Sequence, residues 1–293
     1  MKCRLCPHKC GAYRDFDTAG GKCNLPLTAR VARIAPHFWE EPPISGTKGS
    51  GAVFFSGCTL GCVFCQNYEI SSDCQGVPIT AETLSHEYKR LEDMGVHNIN
   101  LVSATHFIPQ IIKSFKLYRP NIPVVYNCSG FERVETLRAL EGIVDIYLPD
   151  FKYSDDALAL AYSGCENYSS VASKAIGEML RQKGNLSVDG RGIAQKGVIV
   201  RHLVLPNHTK NSMGVLDILK ENFGDNITVS LMGQYIPHGR AHEYPKLNRK
   251  ITKREYEKVL NHLWDLGLDG FMQELNSADE SYIPQWDYSS QTE

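Results

Sequence analysis

The stretch Ala52-Val53-Phe54-Phe55, followed by Gly57-Cys58-Thr59-Leu60-Gly61-Cys62-Val63-Phe64-Cys65-Gln66-Asn67, decides the fold of this chain. The four apolar residues predict a buried strand, and three cysteines with Cys-x3-Cys-x2-Cys spacing come directly after it. In parallel β/α folds the chemistry lies on the loops at the C-terminal ends of the strands. We therefore expect the three thiols in a functional loop at that edge of a sheet.

The spacing of these cysteines points to a metal site. Cysteine thiolates bind iron–sulfur clusters, zinc or copper, and a four-iron cluster takes four such ligands. Three ligands from one short loop would leave one iron open to a second molecule. The alternatives are a structural zinc knuckle or buried free cysteines. A zinc site needs a fourth ligand close by, whereas the next cysteine, Cys74, comes nine residues after Cys65.

Composition limits the classes of function. The chain has 293 residues, of which 42% are hydrophobic and 22% charged, as in globular proteins. Its net charge of −2 provides no basic field, so we expect no nucleic-acid partner. No apolar run reaches the length of a membrane span, and residues 1–4 do not resemble a secretory signal. We therefore expect a cytoplasmic protein, in which ten cysteines bind metal rather than form disulfides.

A second group of cysteines precedes the first predicted strand. Cys3, Cys6, Cys10 and Cys23 lie among glycines and turn formers, with little periodic apolar sequence around them. This pattern predicts a small lobe folded around a second metal, either zinc or an auxiliary iron–sulfur cluster, although four unrelated free thiols remain an alternative. The stretch from Ala35 to Gly51 is rich in Pro and Gly and predicts a connector. We assign residues 1–50 to the lobe and this connector, and residues 51–293 to the main domain.

Strand-like and helix-like segments alternate after the cysteine loop. This alternation indicates an α/β protein with a parallel sheet. Six units are too few to close an eight-stranded barrel, so we expect a partial (β/α)6 TIM-like barrel that is open on one side. The predicted strands are 52–55, 98–102, 123–126, 143–148, 198–205 and 227–232.

Polar residues follow most of these strands, at the edge that also carries the cysteine triplet. For each of them alone, a turn or helix-cap role is a better interpretation than a functional one. Their convergence on one edge predicts a site. The candidates are Ser103, Thr105, His106, Asn127, Ser129, Asp150, Lys152, Arg201 and Gln234.

The cysteine loop resembles the signature of the radical SAM superfamily, including the aromatic Phe64 before its last cysteine. Asp150-Phe151-Lys152 resembles the Asp-x-Lys motif of pyruvate formate-lyase activating enzymes. The segment 40–70 is similar to an uncharacterised branch of that group, which has its own N-terminal cysteines. The likeness is strong over residues 56–67 and looser over most of the remaining chain.

The resemblance implies a 4Fe-4S cluster on Cys58, Cys62 and Cys65. S-adenosylmethionine would chelate the open iron, and a low-potential donor such as flavodoxin or ferredoxin would supply one electron. Cleavage of the cofactor would then release a 5′-deoxyadenosyl radical, which takes a hydrogen atom from a substrate. The protein's share is to hold the cofactor against the substrate and to exclude water.

Residue roles implied by the resemblance begin with Asp150 and Lys152, the candidate catalytic pair, near the methionyl end of the cofactor. Phe64 would lie near the adenine. The usual Gly-Gly-Glu contact to the amino group is replaced by Ser103, Thr105 or His106.

Four further residues complete the implied cofactor site. Asn127 stands where activating enzymes have an acidic residue. It joins Ser129, Arg201 and Gln234 as a candidate for cofactor binding.

Three functions remain open at the level of sequence. The first is an enzyme that generates a radical on a protein or peptide, in the manner of glycyl-radical activases. The second applies the same cofactor chemistry to a different peptide or a small metabolite. The third is a non-catalytic iron–sulfur or zinc protein that carries electrons or acts as a scaffold. No loop carries a recognisable code for the substrate.

Overall fold

The fold is given by a computed structural model that describes residues 2–273 and residue 286. The strands are β1 (Ala29–His37), β2 (Ser50–Phe55), β3 (Val77–Ile79), β4 (Ile99–Val102), β5 (Val124–Cys128), β6 (Ile146–Pro149), β7 (Ser187–Val188), β8 (Ala194–Leu203), β9 (Thr228–Met232) and β10 (Asp269–Met272). The helices are α1 (Pro42–Ser45), α2 (Tyr68–Ser71), α3 (Ala81–Asp93), α4 (Ile108–Leu117), α5 (Val134–Arg138), α6 (Asp156–Ser163), α7 (Tyr168–Lys183), α8 (Thr209–Phe223) and α9 (Lys253–Asp265). No helix within this part of the chain is long and apolar enough to cross a membrane.

The sheet is mostly parallel and open. Its strand order is β10-β9-β8-β6-β5-β4-β2-β1-β3, with β7 beside β8. Strands β2, β4, β5, β6, β8 and β9 are parallel to their neighbours in this series, and they correspond to the six predicted strands. The predicted α/β class and partial barrel are confirmed.

The sheet also contains strands that the sequence did not predict. Strand β10 adds a seventh parallel strand beside β9. At the other edge, β1 pairs antiparallel with β2, and β3 pairs antiparallel with β1. The segment 35–51, read as a connector, therefore begins inside a strand and also contains α1. A boundary at residue 50 stays a prediction, because β1 precedes that residue and belongs to the same sheet.

Helix boundaries follow local capping chemistry. Thr80 begins α3 by accepting a hydrogen bond from the backbone N–H of Thr83. Thr252 and Glu255 form a capping box at the start of α9. Gly164 ends α6 in the left-handed conformation that glycine tolerates best. The helices that cover the sheet are therefore specified by short sequence signals.

The two faces of the parallel sheet differ in their packing. Val53 and Phe55 of β2 belong to the large core shared with the helices. Ala52 and Phe54, the alternating residues, belong to a small cluster on the inner face of the partial barrel. That inner face is only partly filled by apolar side chains, which leaves room for a polar site.

The N-terminal residues pack beside the cysteine loop. The His8 ring bonds the carbonyl of Thr59 at 2.8 Å, and Arg14 Nη2 donates to the carbonyl of His106 at 3.3 Å. Thr136 Oγ1 donates to the carbonyl of Leu5 at 2.7 Å. The lobe is therefore fixed against the edge of the sheet at which the cysteines lie.

Candidate functional site

The cysteine loop lies at the C-terminal end of β2, as predicted. Cys58, Cys62 and Cys65 all line one cavity of about 510 Å³. Gly57 and Gly61 have φ angles of 79° and 75°, which glycine adopts without strain. These two glycines let the chain turn so that one short loop delivers all three thiols to the same wall.

Cys62 is the most deeply placed of the three. Its sulfur accepts a hydrogen bond from Ser163 Oγ at 3.0 Å. Burial raises the pKa of the Cys62 thiol to about 12, which the charge of Lys152 opposes and the neighbouring Cys58 and Cys65 increase. Because a metal ligand must be a thiolate, binding of a metal here has to release protons.

A fourth thiol in the cavity wall, Cys128, ends β5 and is not part of the cysteine loop. Burial raises the pKa of this thiol, the charges of Glu132 and Asp150 raise it further, and the charge of Arg201 opposes the rise. The cysteine loop itself therefore supplies three thiols. Among residues 2–273 and 286, no three Cys, His, Asp or Glu side chains converge tightly enough to hold a single metal ion.

The cavity extends across the inner face of the sheet, from the cysteine loop to the segment that precedes α1. It brings together most of the predicted site residues. The predicted residues that line it are Cys58, Cys62, Phe64, Cys65, Ser103, Asn127, Ser129, Asp150, Lys152, Arg201 and Gln234.

Strand register explains why polar residues meet in this cavity. Asp150 forms a parallel bridge with Arg201, and Arg201 is paired with Ser230 on the next strand. Residues paired across neighbouring strands point to the same side of the sheet. Three polar side chains from successive strands therefore form one layer on the inner face.

Arg201 is the centre of a buried ionic network. Its Nε donates to Asp150 Oδ1 at 3.0 Å, and its Nη1 lies 3.2 Å from Glu40 Oε2. Its Nη2 donates to Asn127 Oδ1 at 2.5 Å. Lys152 Nζ lies 2.6 Å from the other oxygen of Asp150. Asp150 is thus held between two cations, and all five side chains are fixed in position.

The charges in this network set the protonation states. Burial acts to raise the pKa of Asp150, but Arg201 and Lys152 hold it below its ordinary value. Burial acts to lower the pKa of Lys152, but the Asp150 carboxylate holds it above its ordinary value. Both groups are therefore charged at neutral pH and can orient a polar ligand.

Two predicted site residues do not line the cavity. Thr105 Oγ1 donates to Glu132 Oε1 at 2.7 Å, and the His106 ring bonds the carbonyl of Ser56 at 2.8 Å. Both lie in a short 3₁₀ turn after β4 that directs their side chains into the interior. Burial lowers the pKa of His106 to about 4, so its ring is neutral. A cofactor contact by either residue stays a prediction without support from the cavity.

Phe64, Ser129 and Gln234 also line the cavity, and each contacts another residue of the protein. The Phe64 ring packs edge-on against Tyr235, with 6.0 Å between centroids. Ser129 contributes a carbonyl that accepts a hydrogen bond from Tyr168 at 2.7 Å. Gln234 Oε1 accepts from Gln273 Nε2 at 2.8 Å. Their place in the wall is compatible with ligand contact, which stays a prediction.

Sequence reasoning missed the acidic pair Glu40 and Glu41. Both line the cavity, and their side chains are almost fully buried. Asn100 and Asn127 each donate to Glu40 Oε1, at 3.0 and 3.1 Å. The only sequence signal for this pair is two adjacent carboxylates before Pro42-Pro43, in a segment that we interpreted as a connector. No local pattern indicates that this segment reaches the inner face of the sheet.

The four N-terminal cysteines lie in the lobe beside the cysteine loop. The charges of Cys3 and Cys23 both contribute to the raised pKa of Cys6. Cys10 is exposed, and its sulfur lies next to Gly21. Cys74, which the sequence did not assign to this group, lies close to Cys23: its sulfur donates to the Cys23 carbonyl at 3.8 Å. A second metal on this lobe stays a prediction.

Comparison with known proteins gives one family and several similar structures. The sequence profile of the Radical SAM superfamily matches residues 52–214. An uncharacterised protein of Methanocaldococcus jannaschii is 31% identical over 276 residues, which cover 91% of this chain and 75% of that protein. Its description assigns no substrate.

Three solved structures share the fold. Streptococcus suis SuiB bound to precursor peptide SuiA is 15% identical with a TM-score of 0.50, covering 76% of this chain and 48% of SuiB. A radical SAM methyltransferase from Sphaerobacter thermophilus is 14% identical with a TM-score of 0.50, covering 76% and 65% of the two chains. The protein anSMEcpe with bound AdoMet and a Cp18Cys peptide is also 14% identical with a TM-score of 0.50, covering 74% and 60%. This chain thus spans about half the length of SuiB, and the likeness concerns the fold alone.

Proposed function

The chain belongs to the radical SAM superfamily, and from this premise we propose that it uses a 4Fe-4S cluster and S-adenosylmethionine to remove a hydrogen atom from a protein or peptide substrate. Membership of the family implies both cofactors. The observation that carries the proposal is a single cavity with three thiols of one loop in its wall and a buried ionic network on its inner face. A purely electron-transferring cluster would need no such cavity.

The donor set fits the cluster. Cys58, Cys62 and Cys65 line the cavity together and would supply three thiolate ligands from one loop. A four-iron cluster held by three cysteines retains one open iron for a ligand. The chemistry supplied by the bound group is one-electron cleavage of S-adenosylmethionine into methionine and an adenosyl fragment, which leaves as 5′-deoxyadenosine after taking one hydrogen atom from the substrate.

The protein's own residues position the reactants. Lys152 and Asp150 present an ammonium and a carboxylate, each fixed within the buried network, to the polar groups of the cofactor. Phe64 offers an aromatic surface for the adenine. The cavity wall excludes bulk water from the reacting atoms, which protects them from side reactions.

A protein or peptide substrate is favoured by two considerations. Trp286, which follows β10 in the chain, packs edge-on against Phe54 of the cavity wall with 5.3 Å between ring centroids, so a polypeptide side chain can reach this face. SuiB and anSMEcpe, which share the fold, are described with a bound precursor peptide and a Cp18Cys peptide. The electron would come from a low-potential donor of the flavodoxin or ferredoxin type.

The direct test is cleavage of S-adenosylmethionine. Anaerobically reconstituted protein is reduced with dithionite, and 5′-deoxyadenosine and methionine are quantified. The wild-type protein should form both products, and the Cys58→Ala, Cys62→Ala and Cys65→Ala variants should form neither. Absence of product from wild-type protein with an intact cluster would refute the proposal.

The activase function has its own test. The reduced enzyme is incubated with candidate glycyl-radical proteins, and the glycyl radical is sought by electron paramagnetic resonance. A radical on the partner supports an activase. Cleavage of S-adenosylmethionine without such a radical assigns the same chemistry to another peptide or to a small metabolite.

We also propose that Cys3, Cys6, Cys10 and Cys23 hold a second metal. Their lobe packs on the cysteine loop through His8 and Thr59, so its metal would lie near the first cluster. Within residues 2–273 and 286 these side chains do not converge on one point, so the metal would have to draw them together. Metal analysis of the Cys58/Cys62/Cys65 triple alanine variant tests this. Iron in that variant indicates an auxiliary cluster, zinc indicates a structural site, and the absence of both refutes the second site.

A further inference from the structure

The end of the cavity opposite the cysteine loop has an acidic floor. His37, the last residue of β1, pairs with Ser50, the first residue of β2, whereas the cysteine loop follows Phe55 at the other end of that strand. Glu40 and Glu41 follow the end of β1 and precede α1, and both line the cavity. Asn100, which donates to Glu40, pairs with Ala52, three residues before the end of β2. The floor therefore lies below the level of the cysteine loop, and the ion pairs of Arg201, Asp150 and Lys152 connect the two.

Among the described residues that line the cavity, acidic groups outnumber basic ones. Glu40, Glu41 and Asp150 carry carboxyl groups, and Lys152 and Arg201 are the cations. Asp150 and Glu40 are both bonded to Arg201, and Lys152 is bonded to Asp150. One carboxyl group is therefore left without a cation of its own. Burial favours the protonated form of such a group, and a bound cation would stabilise its charged form.

Two hydrogen-bond acceptors on this floor have no donor within residues 2–273 or at residue 286. Glu41 is 8% exposed, and its Oε2 is one of them. Asn100 is 0% exposed; its Nδ2 donates to Glu40, while its Oδ1 is the other. Burial raises the pKa of Glu41, which Arg201 and the Ser230 hydroxyl oppose and Glu40 increases. Buried acceptors are normally satisfied, so both are open to a donor from water or from a ligand.

Apolar side chains line the cavity beside the ionic network. They are Phe54, Val102, Leu203, Met232 and Phe271. A ligand that reaches the floor along these side chains therefore needs an apolar stem and a cationic, donor-rich head. A primary alkylammonium group has three N–H donors and a positive charge on such a stem.

We propose that the cavity floor binds a primary alkylammonium group of the substrate, with Glu41 as its counter-ion and Asn100 as a further acceptor. This inference rests on the proposed function, because it places the substrate's amine at the end of the cavity away from the cysteine loop. The substrate class is an amine-bearing molecule, such as a peptide with a lysine side chain. The stem of that group then lies toward the cofactor, where a hydrogen atom can be removed.

The test uses the reconstituted holoenzyme without reductant, so that no turnover occurs. Binding of n-butylammonium is measured by calorimetry in the presence of S-adenosylmethionine, in a buffer free of primary amines and alkali cations. n-Butanol is the neutral probe of the same shape, and potassium chloride is the probe for a metal-cation site. The variants are Glu41→Gln, the charge-retaining Glu41→Asp, and Glu257→Gln as a control on an exposed helix face.

The proposal predicts that n-butylammonium binds at least about 10-fold more tightly than n-butanol, and that Glu41→Gln weakens it by about 10- to 100-fold, as expected for loss of a charged hydrogen-bond partner. Glu41→Asp should retain the preference for the amine over the alcohol, and Glu257→Gln should change nothing. S-adenosylmethionine affinity should stay unchanged in Glu41→Gln, which also shows that this variant is folded.

Equal binding of amine and alcohol, or an unchanged amine affinity in Glu41→Gln, would overturn the inference. So would displacement of the amine by potassium at equal concentration, which would assign the floor to a metal cation. A loss of S-adenosylmethionine affinity that matches the loss of amine affinity would assign Glu41 to the cofactor's own amino group and also overturn it. Failure of the proposed function is distinct, because it appears as absent cleavage of S-adenosylmethionine in the wild-type enzyme.

Discussion

Replacement of Glu132 by glutamine should remove a pH dependence of stability that the buried carboxyl creates. Glu132 is 2% exposed, and it accepts hydrogen bonds from Thr105 Oγ1 at 2.7 Å and from Tyr126 Oη at 3.4 Å. Burial raises its pKa to about 8 from an ordinary value of 4.5, although the bonds from Thr105, Tyr126 and Cys128 oppose the rise. The folded protein therefore retains a proton that the unfolded chain has released.

The sign of the effect follows from this difference in bound protons. Between pH 4.5 and about 8 the folded state binds more protons than the unfolded state, so the free energy of unfolding falls as the pH rises. The full contribution is present below pH 4.5 and is lost as the pH passes the folded pKa. One pKa unit corresponds to about 1.4 kcal/mol, so the loss between pH 5.5 and 7.5 is about 2.7 kcal/mol.

The assay compares urea unfolding of wild-type protein and Glu132→Gln at pH 5.5 and 7.5. Other titrating groups contribute equally to both proteins, so the difference between the two pH dependences isolates Glu132. Wild type should lose about 2.7 kcal/mol more than the variant over this range. Glu166→Gln, at an exposed position, is the control and should behave as wild type. A difference below about 0.5 kcal/mol between wild type and Glu132→Gln would refute a neutral, buried carboxyl.

Three further predictions concern the network and the fold. Lys152→Met removes the ammonium group that lies 2.6 Å from Asp150. Calorimetry should then show that S-adenosylmethionine binds about 10- to 100-fold more weakly. An unchanged affinity would show that Lys152 is not part of the cofactor site. Gly130→Ala places a methyl group against the Asp150 carbonyl at a residue whose φ is 74°. Denaturant unfolding should show that the free energy of unfolding falls by more than about 2 kcal/mol. A fall of less than about 0.5 kcal/mol would contradict the close approach of the two groups. Thr252→Ala removes the cap of α9 and should cost about 1 kcal/mol without changing cofactor affinity, whereas no loss of stability would show that Glu255 alone suffices.

Much of the site could be predicted because the functional residues of a parallel β/α barrel lie at the C-terminal ends of its strands. Strand ends meet at one edge of a parallel sheet, so Asp150, Lys152 and Arg201 could be assigned to the same site before their contacts were known. Their ion pairs confirm that they lie together. Cys58 and its two loop partners were predicted from spacing alone, because short cysteine motifs need no tertiary information.

The rest depends on tertiary structure that no local pattern encodes. Glu40 and Glu41 reach the cavity because β1 runs antiparallel to β2. The end of β1 therefore lies beside the first residue of β2, and the two glutamates follow it there. Thr105 and His106 are sequence neighbours of Ser103, but the chain turns after β4 with a φ of 58° at Ser103 and then enters a 3₁₀ turn, which buries both side chains away from the cavity. A strand-end rule predicts which loop contributes to a site, but not which of its side chains points inward.

The central claim is that Cys58, Cys62 and Cys65 hold a four-iron cluster with one iron open to S-adenosylmethionine. The most direct measurement is Mössbauer spectroscopy of the ⁵⁷Fe-reconstituted protein in which Cys3, Cys6, Cys10 and Cys23 are replaced by serine, so that only one cluster can form. Addition of S-adenosylmethionine should change the isomer shift of one iron in four and leave the other three as they were. A spectrum that does not respond to the cofactor, with the cluster intact, would contradict the account.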